Sequence, residues 1–375
     1  VTAARAGGPA AGDAPPVRVA IVGLGWAGRS IWLPRLREHP AFDVVAAVDP
    51  DPAMRAQLAG AQPAGSAIRL AGDPGALSPQ TVDLAVVAVP NHLHRDVAGR
   101  LLKAGISVFV EKPVCLSTAE ADELAAAERA GGAVLLAGSA ARLRADTRAL
   151  YDLAAHLGTI RHVDVSWVRA RGVPAAGGWF TRSQLAGGGA LVDLGWHLLD
   201  AAAPLVGSAG FVQAVGTTSS DFLTNPAWGA AWRRDDAAAP PAGDVEDTVR
   251  AFLVTTGGVS VALRASWASH EALDETVIRV EGGAGTATLR CTFGFSPNRR
   301  PGSSLTWTRD GRVSDVDLPA EAIGAEYRRQ LDELPALLAD PDQPGRAAAQ
   351  ARVTCGAIEQ IYGSARSARG PVPAA

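Results

Sequence analysis

Residues 17–36 read VRVAIVGLGWAGRSIWLPRL. The stretch opens as an apolar strand over 17–22, turns through Gly23, Gly25 and Gly28, and continues in a helical pattern. The glycines fit GxGxxG: the first permits a tight turn, the second lets a pyrophosphate approach the backbone, and the third lets helix and strand pack closely. Trp26 and Ala27 fill the positions between them, where the helix N-terminus would face the anion. A second apolar strand, 44–48, ends at Asp49, 21 residues beyond Gly28, where this fingerprint calls for an acid on the adenosine ribose. With Asp51 beside it, Asp49 would repel a 2′-phosphate, so the expected cofactor is NAD rather than NADP. Pro34 predicts a kink or break in the helix.

Moving outward, residues 83–89 (DLAVVAV) form a continuous apolar run, as expected of a parallel strand buried on both faces. It ends in PNHLH, which places Pro90, Asn91, His92 and His94 at the expected nicotinamide side of the crevice. The two histidines suit packing around the next helix equally well. Residues 107–115, SVFVEKPVC, run from a strand into Glu111, Lys112 and Pro113. Only two of the 35 cationic side chains are lysines, Lys103 and Lys112. A compact ammonium at a strand end, in a chain that otherwise uses arginine, marks Lys112 as a candidate catalytic residue. Helices over 95–104 and 117–130 and a last strand over 133–137 complete a doubly wound parallel α/β domain spanning 17–138.

From residue 139 to 370 the pattern changes. Strand-like runs at 160–168, 211–215, 249–255, 258–267, 276–281 and 286–291 predict a large, mostly antiparallel open sheet in an α+β domain. A long connection over 217–243 carries Trp228 and Trp232 and could gate a site. An amphipathic segment closes the domain over 320–339, and residues 1–16 and 371–375 read as a disordered leader and tail. The net charge of −3 gives no basic surplus for nucleic acid. No apolar run reaches the ~18 residues needed to span a membrane. Three cysteines without a CxxC pair indicate neither a disulfide framework nor a metal site, which fits a reducing cytoplasm.

Residues 187–206, GGGALVDLGWHLLDAAAPLV, hold the second candidate constellation. On an α-helix Leu191, Leu194, Leu198 and Leu205 share one face, while Asp193, His197 and Asp200 share another. Asp193 would then orient His197 as a general base; the alternative is a solvated face with an incidental histidine. Nearby, Trp167, Arg169, Arg171, Trp179 and Phe180 could wall a substrate site, or could face an oligomer partner.

GLGWAG, Asp49, PNHLH, EKP, GGGALVDLGWHLLD, VEDT at 245–248 and VEGGAGT at 280–286 occur in that order. Together they resemble the glucose–fructose oxidoreductase/inositol dehydrogenase family, Gfo/Idh/MocA, over about residues 17–362. The resemblance implies NAD(P)-dependent oxidation or reduction of a sugar, a cyclitol or a sugar derivative, with a homo-dimer or homo-tetramer built through the open sheet. It also implies that Lys112 is catalytic, that Asp193 and His197 are the substrate-side acid and base, and that Asn91, His94 and Glu111 contact nicotinamide and ribose. Arg169 and Trp179 are the expected further substrate contacts. One departure is Ser139–Ala140–Ala141–Arg142–Leu143, where many relatives carry Asn followed by Arg-Phe. The rival readings are a nucleotide-sugar ketoreductase, a glycoside-handling enzyme with transient NAD redox, and a silent nucleotide-binding sensor.

Overall fold

The computed structural model describes residues 15–62, 68–175, 178–207, 210–230 and 243–368. The expected tail, most of the leader and Trp232 lie outside them. The first sheet is six-stranded and parallel. Its strands are β1 (Val17–Val22), β2 (Phe42–Val48), β3 (Arg69–Ala71), β4 (Leu84–Val87), β5 (Ser107–Val110) and β6 (Leu135–Ala137). Their order is β3-β2-β1-β4-β5-β6, so the direction of winding reverses between β1 and β4. A ligand crevice belongs beyond the C-terminal ends of those two strands.

The glycine-rich turn closes as its residue types require. Gly23 has φ +97°, and a Cβ on Gly28 would lie 2.0 Å from the Gly23 carbonyl oxygen, which only glycine avoids. The following helix begins as a π-helical turn, Ala27–Trp32, and becomes α-helical over Leu33–Glu38. Pro34 sits in the first turn of the α-helical part, where its missing N–H costs least. The expected break is therefore a change of helix type.

The second sheet has eight strands: β7 (Ile160–Val168), β8 (Phe211–Ser219), β9 (Thr248–Thr255), β10 (Ser260–Ser266), β11 (Glu275–Gly282), β12 (Gly285–Cys291), β13 (Ser304–Arg309) and β14 (Arg312–Val316). Its order is β14-β13-β12-β11-β7-β10-β9-β8, antiparallel except for β7 beside β10. One face buries Val163, Val165, Leu253, Val261, Ile278 and Leu289 against helices. The opposite face carries a register row from Val215 through Phe252, Ala262, Asp164, Arg279 and Thr288, all partly or fully exposed.

The end of the chain returns to the first sheet. Leu331 and Leu334, on helix Ala325–Ala339, join the core of Val19, Ile21, Trp32 and Leu36. Helix Arg346–Ala368 lies against helix Thr118–Gly131, with the Cys355 and Cys115 sulfurs 3.6 Å apart as free thiols.

Candidate active site

A cavity of about 540 Å³ opens beyond β1 and β4, and residues from both halves of the chain line it. On the nucleotide side the wall contains Gly23, Gly25, Trp26, Ala27, Asp49, Pro90, Asn91, Glu111 and Lys112. On the far side stand Pro174, Ala175, Trp179, Phe180 and Tyr327. A Cβ built on Gly25 meets no atom within 4 Å, so the backbone at this helix N-terminus borders open space. That is the room a pyrophosphate needs. Asp49 takes hydrogen bonds from Leu24 N at 2.7 Å and Asp51 N at 2.9 Å, which fix its carboxylate at the cavity wall. These residues fit an adenine dinucleotide. Gly28 lies behind the turn and serves helix packing.

At the strand ends several expected contacts change character. His94 is 1% exposed, and its ring nitrogens lie 2.6 Å from Pro113 O and 2.8 Å from Val89 O. These contacts tie the loop after β4 to the loop after β5 while His94 still borders the cavity, and burial lowers its pKa. Asn91 is buried and donates to Ala186 O at 2.9 Å, so it joins the first domain to the second. The Glu111 carboxylate accepts from Trp32 Nε1 at 2.7 Å and from Lys112 N at 2.9 Å; burial raises its pKa.

Lys112 reaches across the cavity floor. Its Nζ lies 2.6 Å from Asp193 Oδ1 and 3.3 Å from Asp193 O. The lysine side chain is 19% exposed and the aspartate 9%, so this is a partly buried, charge-assisted hydrogen bond open to a ligand on the lysine side. Asp193 Oδ2 accepts from Trp267 Nε1 at 2.9 Å, and Arg169 Nη1 stands 3.9 Å away. Burial pushes the Asp193 carboxyl up, but the Lys112 and Arg169 charges with the two hydrogen bonds hold it well below the usual carboxylate range.

Asp193 reaches His197 through its charge and not through a hydrogen bond. Residues Leu191–Gly195 form a π-helical turn, and the α-helix begins only at Trp196. A π turn spreads residues over more than 3.6 per turn, so the i,i+4 alignment that requires an α-helix is lost. His197 packs beside Trp167 at a ring separation of 5.6 Å and makes no hydrogen bond to Asp193. Burial, reinforced by Lys112 and Arg169 against the pull of Asp193, brings its pKa down to about 3. It is a neutral imidazole at ordinary pH. Asp200 has left the constellation altogether and pairs with Arg142 at 2.6 Å. Arg169 stacks over Trp167 at 4.9 Å behind Asp193, whereas Trp179 faces the cavity directly.

Two functional neighbours escaped the sequence reading. Trp267, fully buried, comes from the residue after β10. Tyr327 comes from the returning helix, boxed by Phe295 at 5.6 Å, Trp32 at 5.6 Å and Arg35 at 5.4 Å. Its hydroxyl has no hydrogen-bond partner among the described residues, and burial with the Glu111, Glu326 and Asp193 carboxylates raises its pKa. It stays a neutral donor. No local motif announces either residue.

A dinucleotide crevice whose floor is a lysine ammonium on a buried carboxylate defines an NAD-dependent oxidoreductase. The chain belongs to the Gfo/Idh/MocA family: residues 17–139 match the oxidoreductase family's NAD-binding Rossmann fold and residues 147–288 its GFO/IDH/MocA C-terminal domain. A protein of Amycolatopsis mediterranei (strain S699), provisionally named a UDP-kanosamine synthase oxidoreductase subunit, is 61% identical over 356 residues, 94% of this chain and 97% of that one. The D-glucoside 3-dehydrogenase of Escherichia coli (strain K12) is 32% identical over 55% of this chain and 60% of its own. Among solved structures, GenD2 from gentamicin A biosynthesis, in complex with NAD, superposes with a TM-score of 0.74 at 26% identity, over 97% of this chain and 98% of that one. No helix among the described residues is long and apolar enough to cross a membrane.

Proposed function

We propose that this enzyme interconverts a ring secondary alcohol and the corresponding ketone on a nucleoside-diphosphate hexose, using residues 17–138 for NAD and 139–370 for the sugar and for assembly. The observation that carries the reaction is the 2.6 Å contact between Lys112 Nζ and Asp193 at the cavity floor. The substrate class rests on the 61% identity to the UDP-kanosamine synthase subunit. When bound, NAD supplies the hydride acceptor. Lys112, fixed by Asp193, donates to the substrate oxygen and stabilises negative charge as it develops there. Neutral His197 takes the hydroxyl proton in oxidation and returns it in reduction. Tyr327 donates a hydrogen bond toward the bound ligands, and Trp179 walls the sugar side. A silent sensor would have no use for this set.

The setting we read is the cytoplasm, on the strength of three reduced, buried cysteines. Copies of the chain pair through the open face of the eight-stranded sheet, where Val212, Val215 and Phe252 are 59%, 66% and 49% exposed. A panel of UDP-hexoses, dTDP-hexoses, free sugars, methyl glucosides and inositols, followed by NADH absorbance, tests the substrate assignment. Turnover of a UDP-hexose well above the free sugar is the expected result; equal or better use of a free sugar or an inositol would overturn the nucleotide reading.

A further inference from the structure

The VEDT segment, residues 245–248, lies outside the cavity, yet it reaches Asp193 by two routes. Glu246 is 8% exposed, and its carboxylate accepts from Gly189 N at 3.1 Å, Leu191 N at 2.9 Å and Tyr362 OH at 2.9 Å. Its backbone oxygen accepts from Ala190 N at 3.0 Å. These are the orphan amides at the start of the turn that carries Asp193, so one carboxylate fixes where that turn begins. The fit is tight, since a Cβ on Gly189 would lie 1.8 Å from Glu246 O. The second route runs through Asp247, whose carbonyl accepts from Trp267 N at 2.8 Å. The Trp267 indole then donates to Asp193 Oδ2 at 2.9 Å, opposite the oxygen held by Lys112.

We infer that Glu246 and Trp267 are positioning residues for the catalytic pair: Glu246 sets the origin of the π turn, and Trp267 locks the Asp193 carboxylate in the rotamer that holds Lys112. A carboxylate with one oxygen on a lysine and only the Arg169 guanidinium, 3.9 Å off and beyond hydrogen-bond reach, beside the other can rotate about its χ angles and carry the ammonium with it. The indole removes that freedom. The inference rests on the assignment of Lys112 and Asp193 as the catalytic pair.

The test is a double-mutant cycle of Trp267→Phe and Asp193→Asn, run with the sugar that the wild type turns over fastest in the panel above. Trp267→Phe keeps an aromatic ring in the core but removes the donor. Alone it should lower kcat roughly tenfold to a hundredfold, the scale of one lost hydrogen bond to a charged group, while KM and the Kd for NADH stay within about twofold. In the Asp193→Asn background the same change should cost less than about twofold, because its route of action is gone. Equal losses in both backgrounds, or an unchanged kcat for Trp267→Phe, would overturn the inference. Glu246→Gln, which cannot accept at both oxygens, should show the same non-additivity with Asp193→Asn; an additive loss removes Glu246 from the proposal. Lys112→Ala beside them separates the two layers: full activity there sinks the catalytic assignment itself, whereas a crippled Lys112→Ala with an additive cycle sinks only the positioning. A crystal structure of the Trp267→Phe protein with NAD decides without a substrate. Asp193 turned away from Lys112 supports the inference, and Asp193 left on Lys112 overturns it.

Discussion

Lys112 and arginine differ here in shape more than in charge. The ammonium occupies a point 2.6 Å from one carboxylate oxygen, and the broader guanidinium of Lys112→Arg cannot sit there and also meet a substrate oxygen. Both Lys112→Arg and Lys112→Ala should therefore lose about 3 to 4 kcal/mol of transition-state stabilisation, roughly a hundredfold to a thousandfold in kcat, while still binding NADH. An arginine variant that keeps most of its activity in steady-state kinetics would refute a role specific to lysine. His197 titrates near 3, so it remains neutral and able to accept a proton across the working range. Its protonation, which would remove the proposed base, begins only as pH falls toward that value. The kcat/KM for alcohol oxidation should thus stay flat from neutral pH down to about pH 5, and His197→Ala should cost roughly a hundredfold. An acid limb centred near the ordinary histidine pKa of about 6.5 would contradict this environment. Asp49 is the residue on which the expected preference for NAD rests. Because Asp51 caps helix Pro52–Gly60 through Ala53 N at 2.8 Å, the clean variant is Asp49→Ser alone, with Arg55 already bonded to Asp49 O and Pro50 O next door. Fluorescence titration should find wild type preferring NADH to NADPH and the variant narrowing the gap; equal affinities in wild type would end the charge argument.

At the scale of elements, three glycines predict two different phenotypes. Gly25→Ala adds a methyl into open space, so the protein should melt as wild type does yet bind NADH poorly. Gly28→Ala drives a methyl to 2.0 Å from a backbone oxygen, and Gly189→Ala to 1.8 Å from another, so both should unfold well below the wild-type Tm. A Gly25→Ala enzyme with unchanged NADH affinity would remove the pyrophosphate from that space. The first sheet was legible because β1, β4 and β5 are buried on both faces and read as apolar runs. The short edge strand β3, the half-buried β13 and the exposed polar strand β14 gave no such signal. Helix Arg346–Ala368 was missed because its buried side is built largely from alanines, which mark no apolar face against their small neighbours. Lys112 stands out by composition, and the structure puts it in the cavity wall. The missing hydrogen bond between Asp193 and His197 was not legible, since periodicity assumes 3.6 residues per turn and cannot show the π turn Leu191–Gly195. Trp267 lies 74 residues from Asp193, and only the folded sheet brings them together.

On the scale of the whole molecule, the chain closes its cleft by returning on itself. Helix Ala325–Ala339 supplies Leu331 and Leu334 to the first sheet's core and Tyr327 to the cavity, so the NAD-binding half is completed by residues far beyond it. The eight-stranded sheet presents a different problem, because helices cover one of its faces and leave the other to solvent. Along that open face Val215 and Phe252 stand directly opposite each other on β8 and β9, and both are about half exposed or more. A contiguous apolar pair on a broad, pleated surface stabilises a partner that presents the same surface, which a two-fold axis provides. Charge flanks the patch in complementary form, with Arg279 on β11 bonded to Glu281 at 2.8 Å and near Asp164 at 3.9 Å. Replacing Phe252 with Asp puts a carboxylate into the centre of the proposed contact and alters no residue that lines the cavity. Light scattering coupled to size exclusion should therefore find the wild type as a dimer or tetramer and Phe252→Asp as a smaller species with a wild-type Kd for NADH. A monomeric wild type, or a Phe252→Asp protein of unchanged mass, would move assembly off this face.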